Sequence, residues 1–109
     1  MQNNLIEAFS ALGDSTRFTI VERLLRDGEQ SAGELVNAVD VSAPAVSRHL
    51  KILRRAGVVD RRVDRQRRLY SVKSELIEAI NDWTMDHRAF WSGSLDRLEA
   101  VLSEDPQDD

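Results

Sequence analysis

The chain has 109 residues, one domain's worth, and its 41% of apolar residues can build a real but small core. It has no cysteine, which excludes a disulfide framework and any thiolate metal site. A net charge of -4 argues against a polyanionic partner only if the charge is evenly spread, and it is not.

The first residues, MQNNLIEAFSALGDSTR, lack a basic stretch followed by an apolar run, so they do not read as a signal peptide. No run of about 18 apolar residues exists to span a bilayer. A soluble, cytoplasmic protein with no membrane partner is expected. Leu5, Ala8, Phe9 and Leu12 recur at helical spacing over Asn3 to Leu12, and Gly13 ends that helix. Asp14 or Ser15 can cap a second helix that runs to about Arg26, with Ile20, Val21, Leu24 and Leu25 on its apolar face; Asp27-Gly28 closes it. Ser31 and Glu34 match a capping box ahead of a short helix that buries Leu35 and Val39. After the turn at Asp40-Val41, Ser42 caps a fourth helix, with Pro44 in the first turn where its missing N–H costs nothing. Val46, Leu50 and Leu53 share its inward face, and Gly57 suits the position just past its end.

Val58 to Val63 and Arg68 to Val72 are short β-prone segments around a polar tip, Asp64-Arg65-Gln66-Arg67. They read as a hairpin that must lean on the helices. Ser74 is expected to cap a long last helix. Leu76, Ile80, Trp83, His87, Trp91, Leu95, Leu98 and Leu102 make one nearly straight stripe along it. Ser92-Gly93-Ser94 is the place where it would bend or break. Residues 104–109 read as a disordered acidic tail behind a domain spanning residues 1–103. The fold class is mainly α with a small β-hairpin, in the order α-α-α-α-β-β-α: a winged helix-turn-helix.

The charge is strongly polarised. From Arg48 to Arg68, nine basic residues are opposed only by Asp60 and Asp64, so 21 residues carry +7 and the remainder carries -11. One face can then attract phosphate while the rest repels it. In a helix-turn-helix the second helix enters the major groove and presents its N-terminal turns to base edges. Here that helix opens on the small residues Ser42, Ala43 and Ala45, which let the backbone approach closely. Ser47 and Arg48 lie one turn in. Arg48 is placed either to fork to a guanine or to pair with a phosphate. Lys51, Arg54 and Arg55 suit phosphates, and the helix N-terminus itself attracts one. Arg65 and Arg67 at the hairpin tip suit a narrow minor groove.

SAPAVSRHLKILRRAGVV (42–59), preceded by ALGDSTRFTIVERL (11–24) and followed by RRLYSV (67–72), strongly resembles the ArsR-type winged-helix repressors. The resemblance runs in order over residues 5–75. It implies a homodimer that binds operator DNA and represses transcription, usually of its own operon. It places Ala43, Pro44, Ser47 and Arg48 where family members touch bases or nearby phosphates. WTMDHRAFWSGSLDRLEAVL (83–102) resembles a cysteine-free, non-metal branch. Two departures stand out. The Cys-x-Cys metal site of many members is missing, and the wing tip lacks their glycine, which leaves Asp64 as the residue suited to unusual backbone angles.

His49 is expected to pack against the neighbouring helix rather than to contact DNA. His87, even with Asp82, Asp86 and Glu99 nearby, supplies one imidazole on an apolar stripe, which is too little for a zinc site. No metal or cofactor is expected. Trp83, Phe90 and Trp91 read as core or interface rather than as a small-molecule pocket. The stripe is too long for one small core to cover. A dimer built from the last and first helices is therefore expected, with Leu5, Phe9, Leu12, Trp83, His87, Trp91, Leu95, Leu98 and Leu102 at its interface. Two reading helices would then lie about one DNA turn apart, matching a palindromic operator. No nucleophile elbow, phosphate-cradling glycine loop or paired-carboxylate site is present, so no enzyme is expected. The alternative is a winged-helix module that binds protein and never DNA. A small-molecule or protein effector stays open.

Overall fold

A computed structural model describes residues 2–104. In chain order the elements are α1 (Gln2–Leu12), α2 (Ser15–Asp27), β1 (Gln30–Ser31), α3 (Ala32–Val36), α4 (Ala43–Arg55), β2 (Val59–Asp64), β3 (Arg67–Val72), α5 (Ser74–Asp86) and α6 (Arg88–Glu104). The chain divides into two compact units, one up to Ala79 and one from Ile80. Of the tail expected over residues 104–109, Glu104 is the last residue of α6, and residues 105–109 lie outside the described residues.

The helix starts follow from their caps. Asp14 Oδ2 accepts the Arg17 N–H at 3.0 Å. The capping box closes in both directions, with the Ser31 N–H donating to Glu34 Oε1 at 2.7 Å and the Glu34 N–H to Ser31 Oγ at 3.1 Å. Ser42 Oγ accepts the Ala45 N–H at 3.3 Å, ahead of a first turn that contains Pro44. Ser74 does not cap; it is the first helical residue, and the Lys73 carbonyl accepts from Leu76 and Ile77. The helix α3 is one short turn that stops at Val36, and Val39 beyond it is only half-buried.

The core of the first unit gathers Leu5, Ala8 and Ala11 from α1, Ile20, Val21 and Leu24 from α2, Leu35 from α3 and Val46, Leu50 and Leu53 from α4. Val58, Val59, Leu69, Tyr70 and Leu76 complete it. Leu25 was expected on the buried face of α2 but is 57% exposed. It sits about 100° around the helix from Leu24, past the edge of the buried stripe. Leu5, expected at a dimer interface, is turned into this core instead.

The sheet is antiparallel in the order β1-β3-β2. The two-residue β1 pairs Gln30 with Tyr70 and Ser31 with Leu69. It is absent from the sequence expectation because two polar residues offer no alternation to read. The hairpin strands are each shifted from expectation: Val58 is not in the ladder, and the strands pair from Val59↔Val72 to Asp64↔Arg67. That register leaves a two-residue turn, Arg65-Gln66. Arg65, not Asp64, takes the positive φ of 64° that tight hairpin turns demand. All residues from Arg61 to Arg68 are exposed, so the hairpin projects as a wing beside the helices α3 and α4. This is a winged helix-turn-helix.

In the second unit the last helix is broken, but not at Ser92-Gly93-Ser94, which is helical. The break is at His87. Its N–H donates to the Thr84 carbonyl at 3.1 Å, so the Trp83 carbonyl loses its helical donor. The His87 ring supplies the replacement, with Nδ1 donating to Trp83 O at 2.8 Å.

Between α4 and the wing the stop is sharp. The Gly57 N–H donates to the Arg54 carbonyl at 3.1 Å and the Val58 N–H to the Leu53 carbonyl at 2.9 Å. This is the Schellman pair of bonds, with Leu53 and Val58 forming its fully buried apolar contact. Gly57 holds φ at 80°, where a side chain is strained by about 1–2 kcal/mol. Gly57→Ala should therefore lower the unfolding free energy by about 1–2 kcal/mol, seen as a lower urea midpoint with an unchanged slope; an unchanged midpoint would show that the left-handed stop is not under strain.

Candidate nucleic-acid interface

With about 100° per residue, α4 separates cleanly into two sides. Val46, Leu50 and Leu53 form a narrow buried stripe. Ala43, Pro44, Ser47, Arg48, Lys51, Arg54 and Arg55 fall in one broad exposed arc. Ser42 sits at the cap with its hydroxyl engaged by Ala45, so it offers a groove its second lone pair and its proton. Arg54 and Arg55 occupy the last turn, where they also complement the helix dipole. His49 lies on the flank, half-buried, with Nδ1 at 3.1 Å from Arg17 Nη1 on α2, as a packing residue should.

The wing's arginines are divided by the period-two alternation of the strands. On one face Arg62 and Arg67 both meet acids from outside the hairpin. Arg62 grips Glu29 with two bonds, Nε to Oε2 at 2.7 Å and Nη2 to Oε1 at 2.8 Å. Arg67 Nη2 lies 3.5 Å from Glu34 Oε1. On the opposite face Arg61 and Arg68 make no ion pair among the described residues, and neither does Arg65 at the turn. Arg67 was expected at the tip; it stands in β3 and is committed to Glu34. Arg61 and Arg68 were not singled out, although counting alternate residues outward from Val59 would have found Arg61 on the other face from Arg62. Of the nine basic residues from 48 to 68, two are thus neutralised by Glu29 and Glu34 and seven are left unpaired among the described residues.

The acids record the same contacts. The paired Arg62 guanidinium holds the Glu29 carboxyl below the usual glutamate range. Glu34 is lowered first by the Ser31 N–H, then by the Ser31 hydroxyl, with Arg67 adding a smaller pull. Glu34 therefore starts the first helix of the helix-turn-helix and steadies the wing together.

The remaining expected residues lie on α1 and in the second unit. On α1, Phe9 is 42% exposed, Leu12 is half-buried, and Ile6, which was not singled out, is 75% exposed. In α5 and α6 Trp83, His87, Trp91, Leu95, Leu98 and Leu102 are all exposed, as are Met85, Phe90 and Val101. Among the described residues no cluster of three His, Asp or Glu side chains is placed to hold a metal ion. No helix of the described residues is long and apolar enough to cross a membrane.

Residues 14–61 match the sequence profile of the bacterial regulatory proteins of the arsR family. The chain is 37% identical over 101 residues to the HTH-type transcriptional regulator Rv2034 of Mycobacterium tuberculosis, covering 93% of this chain and 91% of that one. It is 31% identical over 78 residues to the transcriptional repressor SdpR of Bacillus subtilis, covering 72% and 86%. Its fold matches the solved structure of an ArsR-like transcriptional regulator from Rhodococcus sp. RHA1 with a TM-score of 0.71 and 26% identity, over 92% of this chain and 93% of that one.

Two outcomes follow from the acid contacts. Glu29→Ala releases Arg62, so binding to a random-sequence duplex should tighten and its log–log salt slope should steepen by up to about 0.9 per subunit. An unchanged slope would mean that Arg62 already spends its charge on phosphate. Glu34→Gln keeps an acceptor for the cap but loses the charge. Because the folded carboxyl is lowered, its stabilisation is complete above the ordinary glutamate pKa and is lost as pH falls through the lowered one. The wild type should melt higher than the variant at neutral pH, with the gap closing in acid; a gap that stays constant with pH would contradict the assignment.

Proposed function

The chain belongs to the ArsR family of bacterial regulatory proteins, and from that premise we propose that it is a homodimer that reads a palindromic operator and represses transcription there. It is a DNA-binding transcription regulator and not an enzyme. The observation that carries the reading is the bare cationic arc of α4 above a fully buried stripe, flanked by a wing whose outer arginines are unpaired among the described residues.

Ser42, Ala43, Pro44, Ser47 and Arg48 form the base-reading end, inserted into the major groove. Lys51 and Arg54 grip the flanking phosphates. Arg65 enters the minor groove from the wing tip, with Arg61 and Arg68 following the backbone. Arg67 acts there through the wing it holds in place. Residues 1–103 work as one domain in the cytoplasm, where the DNA is, with no cofactor. The named repressor among the relatives supports repression, which needs only that a bound dimer exclude polymerase; the protein's own promoter is the natural target.

The dimer reading is supported by α6. Trp91, Leu95, Leu98 and Leu102 recur at four-, three- and four-residue steps and are 55–68% exposed in one subunit. Phe90 and Val101 widen the apolar arc. An apolar face of this extent on a soluble chain marks an association surface. A second copy offers the same face, as a two-fold interface requires. Phe9 and Leu12 on α1 are assigned to a dimer contact of the first unit; Leu5 is not, since it serves the core.

The test combines affinity and size. A duplex selected by the protein from a random library should bind tighter than random sequence, with affinity falling steeply as salt rises. Arg48→Ala should lose about 1–3 kcal/mol of that preference if it reads a base. Leu95→Glu with Leu98→Glu should convert a dimer to a monomer in sedimentation. Equal affinity for selected and random duplexes would sink the operator reading. Weak binding with no salt slope would favour a module that binds protein instead.

A further inference from the structure

We propose that Arg17 is a positioning residue that ties the setting of the reading helix to α1 through His49, an inference that rests on the DNA-reading role of α4. Arg17 lies in the first turn of α2, and its guanidinium touches the two helices on either side. Nε donates to the Ala11 carbonyl at 2.7 Å. Nη1 donates to His49 Nδ1 at 3.1 Å. Ala11 is in the last turn of α1, where carbonyls have no helical donor, so Arg17 also serves as a cap for that end. His49 is the neighbour of Arg48 on α4. One rigid, planar fork therefore fixes the distance between the end of α1 and the base-reading turn of α4. A lysine ammonium, a single point on a flexible stem, does not reproduce this geometry.

The chemistry of the bond makes it conditional. A guanidinium only donates, so His49 Nδ1 must carry the lone pair and the ring proton must sit on Nε2. Protonation of Nδ1 sets donor against donor. The oxygen then available to that nitrogen is Asp14 Oδ2, at 3.9 Å, whose near position in the cap also accepts the Arg17 N–H. Protonated His49 would leave Arg17 for Asp14, and α4 would lose this polar tie to α1, keeping only their direct packing. Arg17 comes from the first turn of α2 and Asp14 from its N-cap. Among the described residues neither α1, α3 nor β2, which also pack against α4, brings a charged group within ion-pair distance of His49.

The role differs from that of the phosphate-binding cations. Arg17 is half-buried, is spent on Ala11 and His49, and lines a groove with Ile6, Ser10 and Ile52 at the junction of α1 and α4. Losing it should loosen the aim of α4 without removing a phosphate contact. Sequence preference should fall while the electrostatic part of binding stays.

The experiment measures binding of the full-length wild type, Arg17→Gln, Arg17→Lys and His49→Gln to a duplex selected by the wild type and to a random duplex. Each is measured at several salt concentrations and at about pH 7.5 and about pH 5.5. Arg17→Gln and Arg17→Lys should each weaken binding to the selected duplex by about tenfold, the scale of one lost hydrogen bond, and leave the random-duplex affinity and salt slope unchanged. His49→Gln offers an amide oxygen to Arg17, so it should keep the neutral-pH preference and lack the loss of preference in acid expected of the wild type. Should the Arg17 variants fail to fold, the comparison of wild type with His49→Gln across pH carries the test alone. Wild-type preference retained in Arg17→Gln would overturn this inference and leave the DNA-reading role standing. So would parallel pH profiles for wild type and His49→Gln, or a salt slope reduced by about 0.9 per subunit in Arg17→Gln, which would make Arg17 a phosphate contact. A wild type with no preference for its selected duplex would overturn both.

Discussion

A reading helix has to be held from one side only. Val46, Leu50 and Leu53 do this for α4, each at most 1% exposed, while the arc above them stays bare. Fully burying such side chains is worth about 1.5–3 kcal/mol each. The cations on the bare arc repel one another in water by no more than about 1 kcal/mol at 4 Å, and less at their larger spacings. Burial therefore wins, and the helix can present like charges without internal compensation. Everything else at the site works within this constraint: the Schellman stop at Gly57 ends the helix while Leu53 and Val58 close the core, and the chain leaves directly into the wing.

The wing has the opposite problem. Beyond its base it buries nothing, so backbone pairing and side-chain ties must hold it. Glu29 and Glu34 supply the ties, and they consume two of the arginines that make the segment basic. The charge of this region is therefore partly structural. What remains for phosphate is the other face of the strands and the turn, where Arg65 adopts a left-handed backbone.

The helices, their caps and the inward face of α4 were legible because each rests on neighbours within four residues: Ser31 with Glu34, Ser42 with Ala45, Val46 with Leu50. The site was legible as a charge cluster on the right elements. It was not legible which arginines are committed, because Glu29 and Arg62 are 33 residues apart and meet only when β1 joins the sheet. The role of Leu5 was not legible for a related reason. Its spacing places it on the apolar side of α1, but only the packing of α1 on α2 and α4 decides whether that side faces the core or a partner. In the last helix, periodicity ran straight through His87, and glycine drew the expected break to residue 93. A side chain that replaces the backbone donor of Trp83 is a local bond that hydrophobic spacing does not report.

On this reading the exposed arc of α4 and the outer face of the wing together contact the duplex. Backbone amide exchange, followed along the chain with and without the selected duplex, tests this most directly. Exchange should slow at Ala43, Ala45 and the following turn of α4 and across Arg61 to Arg68. Slowed exchange confined to α1 and α6, with α4 and the wing unchanged, would contradict it.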